Sequence, residues 1–384
     1  MIKMAQVKMG DQEIDAVARV MCSGMIAMSS EVAKFEKEFA EEIDVKHAVM
    51  VSSGTAALIA ALSAIGDLAN KWVVTTPFTF IATINAIIFH RAIPVFVDVD
   101  PYTYNMSPDA LVSFVRMHSE QIRAILPVHL FGLPADMTGI IDIANEEKPG
   151  IPVIEDCAQA HNAEIKVGKE WIKAGAFGKA GAFSFYATKN MGIGEGGMVT
   201  TNDDQIAEKV RKFINFGRID SQTFDTLGFN FKSTDIVAVI GRVQLGKLGY
   251  VTSQRIKHAA MYDEAFECLS WLRIPYQPEG YNHVYHLYTV RITTDDDNHD
   301  HAAMRRAGLM NHLKAKGIES AIYYPKLVYQ QPMFNILLYN GCCHVAEMLT
   351  KQVLSLPVHQ HLSDNDIKTI IDAVLSYEGS AGWV

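Results

Sequence analysis

The sequence predicts an α/β protein: a largely parallel sheet covered by helices, followed by a smaller α+β region. Two observations carry the first part. Runs such as Trp72–Thr76, Ile93–Val99, Ala124–Val128 and Ile151–Asp156 are mostly apolar at successive positions, as suits strands buried on both faces. Helical segments separate them, as crossovers between parallel strands require. A third observation sets the boundary. From Thr234 to about Leu269 the chain keeps helical periodicity without a proline, and after Pro275 its character changes. At ~100–200 residues per domain, 384 residues give two domains, 1–250 and 251–384.

The elements follow in order. The N-terminal stretch up to the first strand reads as helical. Within it Ser29-Ser30-Glu31-Val32 opens an amphipathic run with Phe35, Phe39 and Ile43 on one face. His47–Val51 is a short buried strand, and Ser52-Ser53-Gly54-Thr55 leads into an Ala/Leu-rich helix, Ala56–Ile65. Trp72–Thr76 is a strand, Thr79–Phe89 a helix, Ile93–Val99 a strand and Pro108–Met117 a helix. Ala124–Val128 and Ile151–Asp156 are further strands. The segment 234–269 reads as one long helix with a kink near Gly249. Tyr285–Thr293 alternates as a strand, Met304–Lys316 is a helix closed by Gly317, and Asp364–Tyr377 is the last helix. In such sheets ligands gather outside the carboxyl ends of the strands. Ser52–Thr55, Thr76–Phe80, Pro127–Phe131 and Asp156–His161 all fall there.

Composition narrows the function. Lys+Arg number 34 against 43 Asp+Glu, a net charge of −9 with no basic run, which argues against nucleic acid or an anionic membrane as partner. Apolar stretches are broken within ~18 residues, so no transmembrane helix is expected. The first residues lack the apolar core of a signal peptide. Five scattered cysteines argue against a disulfide framework and point to a cytoplasmic setting.

Four constellations can carry chemistry. Ser53-Gly54-Thr55-Ala56-Ala57 sits between a strand and a helix, where backbone N–H groups bind phosphate; an ordinary helix cap reads the same way. Ile154-Glu155-Asp156-Cys157-Ala158-Gln159-Ala160-His161 places carboxylates at a strand end, able to hold a protonated ring nitrogen or a metal, or merely to cap a helix. Phe183-Ser184-Phe185-Tyr186-Ala187-Thr188-Lys189-Asn190 sets a lysine between an aromatic strand and the turn Gly192–Gly197. Burial there would free its amine for Schiff-base chemistry, whereas a solvated lysine would have no such role. The glycine run lacks dinucleotide-loop spacing and precedes a strand. Gly228-Phe229-Asn230-Phe231-Lys232 lies just before the long helix. Asp295–His301 and His359-Gln360-His361 look like metal ligands or, as is commoner, solvated loops, and Cys342-Cys343-His344 lacks zinc spacing. No G-x-S-x-G element supports serine hydrolysis.

Together these motifs resemble the DegT-type nucleotide-sugar aminotransferases from about Met25 to Leu375. Pro94–Asp100, Ile240-Gly241 with Gln244-Leu245, and Leu354-Ser355-Leu356-Pro357 extend the match. The resemblance implies a pyridoxal-phosphate enzyme of the aspartate-aminotransferase fold, fold type I, with a mainly parallel seven-stranded sheet in its large domain. Lys189 would form the internal aldimine and move the proton. Asp156 would face the pyridine nitrogen, Gln159 would lie against the ring near its 3-oxygen, and Phe80 would stack on it. Gly54, Thr55 and Ser184 would hold the phosphate. Asn230 would reach the phosphate of a partner subunit's cofactor, which implies a homodimer with shared sites. Substrate-side positions depart from the family: Tyr323-Tyr324-Pro325 where His-Tyr-Pro is common, Lys232 where Arg is common, and Phe216 where His is common.

The activity so implied is transfer of an amino group, with L-glutamate as donor, to a nucleotide-diphosphate-linked keto-deoxy sugar, by way of the pyridoxamine form. No metal is implied. Tyr323 and Lys232 motivate an alternative, a transaminase for a smaller amine, aldehyde or amino-cyclitol precursor. The family's dehydratase branch replaces the lysine that Lys189 retains. A non-enzymatic regulator would carry a DNA-binding domain, and no basic helix-turn-helix segment is present.

Overall fold

The computed structural model describes residues 1–296, 298–336 and 343–377. Helices α1 (Asp11–Ser23) and α2 (Ser30–Ile43) precede β1 (His47–Val51) and α3 (Gly54–Ala64). Next come β2 (Trp72–Thr75), α4 (Ile81–Phe89), β3 (Ile93–Phe96), α5 (Pro108–His118), β4 (Ile122–Ile125) and α6 (Met137–Glu146). The chain continues through β5 (Ile154–Asp156), β6 (Glu164–Val167), β7 (Glu170–Lys173), β8 (Ala180–Ser184), β9 (Gly197–Thr201) and α7 (Asp204–Phe213). It then enters α8 (Asp235–Phe266), β10 (Leu272–Arg273), β11 (Tyr281–Asn282) and β12 (Tyr288–Ile292). Last come α9 (His299–Ala315), α10 (His344–Gln352), β13 (Val353–Leu356) and α11 (Asp364–Leu375).

One sheet has the order β1-β9-β8-β5 and a second β3-β2-β4. Parallel bridges Ile125–Val153 and Val128–Asp156 join their edges. The pairs β2–β3, β2–β4 and β5–β8 are parallel, as expected, but β1–β9 and β8–β9 are antiparallel. The sheet is therefore mixed. The cause is the glycine turn: Phe185 donates to Gly196 O and Ile193 to Phe185 O, so the chain folds straight back as a hairpin-like return. The small hairpin β6–β7 with β11 is a third sheet, and β10-β12-β13 a fourth.

Burial explains the helices. Ala56, Ala57, Leu58, Ala60, Ala61 and Leu62 of α3 are all buried, because α3 packs on β8 and β9 below and on α4 and α7 beside it. Helix α2 turns Val32, Phe35, Phe39 and Ile43 inward, where Phe39 meets Phe183 and Phe185 edge-on. Asp235, buried at the start of α8, accepts from the N–H groups of Ser29, Val32 and Glu31 at 2.8, 3.1 and 3.2 Å, tying the two helix N-termini together. Helix α8 is one continuous element of 32 residues. Beyond it, Tyr262, Phe266, Tyr288, Leu309, Leu354 and Ile370 belong to a separate core. The strand expected over 285–293 is shorter, 288–292, because Arg255 takes the Tyr285 and His286 carbonyls.

Cys22, Cys157 and Cys268 are free; Cys342 and Asp297 lie outside the described residues. Among the described residues no helix is long and apolar enough to cross a membrane.

Candidate active site

The two adjacent carboxylates of β5 separate because successive strand residues face opposite ways. Glu155 is consumed by the fold. Its oxygens accept from the N–H groups of Gly175, Phe177 and Gly178 at 2.7–2.9 Å, and from His129 Nε2 at 3.0 Å. His129 Nδ1 accepts from Ala135 N, which leaves the ring proton on Nε2, pointed at Glu155. His129, Glu155 and Cys157 lie close enough to suggest a metal site, but these bonds already occupy the histidine and the carboxylate.

Asp156 faces the other way. Thr83 Oγ1 donates to it at 2.9 Å and Ala158 N at 3.1 Å. Burial pushes its carboxyl above the usual range, while Ala158 N–H, Thr83, Lys189 and His129 oppose the rise. Thr83 is itself placed by helix α4, one turn beyond Thr79, whose hydroxyl it meets at 2.9 Å. The role of Thr83 was not legible in the sequence. Its only signal is the i, i+4 pair of threonines just after a strand end.

Lys189 follows β8 at the start of the glycine turn, with its N–H bonded to Tyr186 O. Burial lowers its ammonium to about 8, and Asp156 is the one charge that pulls it back up. Asn190 beside it is buried, donating to Val284 O at 3.1 Å. His161 is buried and packs against Phe183 and Phe185. Burial, then Lys189, lowers it to about 3, so it stays neutral.

Gln159 spans the site: its Oε1 accepts from Phe131 N at 2.7 Å, and its Nε2 donates to Tyr324 OH at 3.2 Å. Tyr324 thus joins Gln159 where the motif comparison singled out Tyr323. Burial raises its phenol, so it stays protonated. Phe80, exposed at the N-terminus of α4, lies 6.5 Å from the Tyr324 ring.

The phosphate end is built from two turns. Ser53 Oγ caps α3 by accepting from Ala56 N at 3.1 Å. Gly54 lies so close to β8 that a Cβ there would stand 2.5 Å from Ser184 Cβ and 2.9 Å from its Oγ. Thr55 occupies the first turn of α3. Ser184 and Gly54 therefore meet at the N-terminus of α3, whose first turn holds Thr55 and whose N–H groups favour an anion.

Asn230 and Lys232 form a separate group. Ser52 N donates to Phe231 O at 2.8 Å, which ties their loop to the phosphate end. Asn230 is exposed. Lys232 Nζ donates to Asn215 Oδ1 at 2.9 Å and sits 4.5 Å above the Phe216 ring. Two departures noted in the sequence, Lys232 and Phe216, are thus one cation–π pair. Among the loops set aside, His301 pairs with Asp296 and Lys351 with Asp300, all at the surface.

Comparison with known proteins agrees with this geometry. The family model of DegT/DnrJ/EryC1/StrS aminotransferases matches residues 7–375. The chain is 37% identical over 365 residues to the UDP-N-acetyl-3-dehydro-alpha-D-glucosamine 3-aminotransferase of Acidithiobacillus ferrooxidans, covering 95% of this chain and 93% of that one. It is 34% identical to the dTDP-3-amino-3,4,6-trideoxy-alpha-D-glucose transaminase of Streptomyces venezuelae, covering 94% and 90%. The crystal structure of S. venezuelae DesV in complex with a ketimine intermediate superposes with a TM-score of 0.85 at 33% identity, covering 94% and 93%. The match across residues 7–375, with aminotransferase relatives covered over nearly their whole length, makes this chain an aminotransferase belonging to the DegT/DnrJ/EryC1/StrS family.

Proposed function

We propose that this aminotransferase uses pyridoxal phosphate to carry an amino group from L-glutamate to a nucleotide-diphosphate-linked keto-deoxy sugar. The observation that carries the reading is the coupled pair Lys189–Asp156, a freed amine and a buried carboxylate at one sheet edge. The donor set fits the cofactor. The Gly54–Ser184 approach leaves a cradle that a Cβ would fill, the Asp156 carboxylate has no arginine partner among the described residues, and burial brings the Lys189 ammonium down to about 8. Family aminotransferases depend on this cofactor. When bound, it supplies an electron sink for the pair released at the donor carbon.

The rest is done by the chain. Asp156 would hold a proton on the ring nitrogen, and Thr83 and Ala158 N–H keep that carboxylate aimed. Lys189 Nζ would hold the cofactor through its amine, then take and return the proton between substrate and cofactor carbons. Gln159, fixed by Phe131 N and Tyr324, and Phe80 would flank the ring. Gly54, Thr55 and Ser184 would take the phosphate. Asn230 would serve the partner's cofactor in a homodimer; its exposure supports this. Tyr323 and Lys232 would face the acceptor. The division into 1–250 and 251–384 is supported by the separate core of the second part.

The sugar acceptor is supported by the sugar names of the relatives. The departures from the family pattern at Tyr323 and Lys232 motivate the smaller-acceptor alternative. Lys189→Ala tests the reading. The variant should fold and bind the cofactor reversibly, and glutamate should condense with it, yet conversion to the pyridoxamine form should be lost. Glutamate-dependent conversion at the wild-type rate would refute the Lys189 assignment.

A further inference from the structure

The segment 276–281, which runs into β11, meets the loops 100–108 and 134–136, which follow β3 and β4, around an open groove of about 590 Å³. The groove shares no residue with the site described above. Tyr102, Tyr276 and Tyr281 line it, together with proline rings and two carboxylates, Asp100 and Asp136. No lysine or arginine stands on its walls. Tyr102 and Tyr276 are 63% and 52% exposed, and their ring centroids lie 6.0 Å apart with the planes at 62°. Large rings left open side by side mark a binding surface, where scattered ones do not.

The carboxylates are held but not neutralised. Asp100 Oδ1 accepts from Thr103 N, Tyr102 N and Thr103 Oγ1 at 2.8, 2.9 and 3.1 Å. Asp136 Oδ1 caps α6 by accepting from Gly139 N at 3.0 Å, and it also accepts from Thr138 Oγ1 at 2.9 Å. The Tyr281 hydroxyl donates to Asp136 as well; burial first, then this acid, holds its phenol above the ordinary range. Every one of these donors is neutral. Arg291 meets the first loop at the Pro101 carbonyl and Lys166 meets Gly280 through its backbone, and neither pairs with these acids. The residues just beyond the walls, Asp109 and Glu279, are exposed and add charge of the same sign.

Unpaired carboxylates call for cations. Apolar walls beside them call for methylene groups, and ring faces attract a cation further. A chain that alternates methylenes with ammonium groups meets both demands, whereas an anionic nucleotide sugar is repelled. We propose that this groove binds an aliphatic polyamine, with its methylenes against the Tyr102 and Tyr276 rings and its ammonium groups on Asp100 and Asp136. Because the walls come from segments far apart in sequence, the bound amine braces them and stabilises the folded chain.

Calorimetric titration of the holoenzyme with spermidine at physiological ionic strength tests the proposal. The pyridoxamine form is used, because its cofactor has no aldehyde for an amine to attack. One saturable site per chain is expected, with a higher thermal midpoint. Asp136→Asn keeps the α6 cap, since asparagine caps as well as aspartate, but removes the charge. Its affinity should fall about threefold or more. Tyr276→Ala should weaken binding about as much, through the lost ring face. Both variants should keep the wild-type rate with glutamate. Absence of saturable heat overturns the proposal. So does unchanged affinity in either variant, which would put the amine on the acidic surface at large, where a net charge of −9 draws any polycation. Tighter binding at this groove by tetramethylammonium, or by a basic proline-rich peptide, also overturns it, assigning the groove to a lone cation or to a protein partner.

Discussion

Lys189 and Asp156 set each other's charge. Burial frees the lysine amine near pH 8 instead of its ordinary 10.5, and Asp156 limits the fall. Only the neutral amine attacks an aldehyde. Capture of pyridoxal phosphate by the cofactor-free enzyme should therefore speed up from pH 7 to 9 and level off above, read as growth of the yellow absorbance. Asp156→Asn removes the charge that raises the lysine value, so the midpoint of that profile should move below 8. The same change should slow the glutamate half-reaction about a hundredfold or more, the scale of a lost contact to developing charge. An unmoved midpoint would separate Asp156 from Lys189.

Two contacts between elements carry the site. Gly54 is where α3 closes on β8, and an alanine there would press on Ser184. Gly54→Ala should cost about 1–3 kcal/mol, as overpacking does, seen as a lower thermal midpoint together with faster cofactor loss on dialysis. Asp235 binds three N–H groups at the start of α2. Asp235→Ala should cost about 2 kcal/mol or more by urea unfolding. At this scale the sequence was legible where a residue's own neighbours define its place. Ser53-Gly54 before α3, the Asp156 strand end and the lysine before the glycine turn are such cases. It was not legible where pairing decides. Glu155 and Asp156 look alike in sequence, and only the strand's alternation sends one to the fold and the other to the site. Strand β9 runs against its neighbours for a reason lodged in a turn. The hairpin β6–β7 is short, charged and half-exposed, so it shows no clear period. Tyr324 joins Gln159 across 165 residues, a contact no local pattern announces.

At the scale of the molecule, shared sites make a distinct prediction. Asn230 is exposed on a loop tied to the phosphate end of its own chain. If it completes a partner's site, Lys189→Ala and Asn230→Asp each lose activity alone. Mixed after gentle dissociation, they should regain part of it, because a hybrid dimer carries one intact site. No recovery, with hybrids verified by mass, would place Asn230 outside the site.

The central claim is amino transfer to a nucleotide-linked keto-sugar, and one titration tests it most directly. The purified protein is converted to its pyridoxamine form with glutamate, freed of small molecules, and titrated with nucleotide-linked keto-deoxyhexoses while its absorbance is followed. The account predicts that the yellow band returns in proportion to sugar added. Return of the band only with small keto acids or aldehydes would contradict it and leave the smaller-acceptor transaminase.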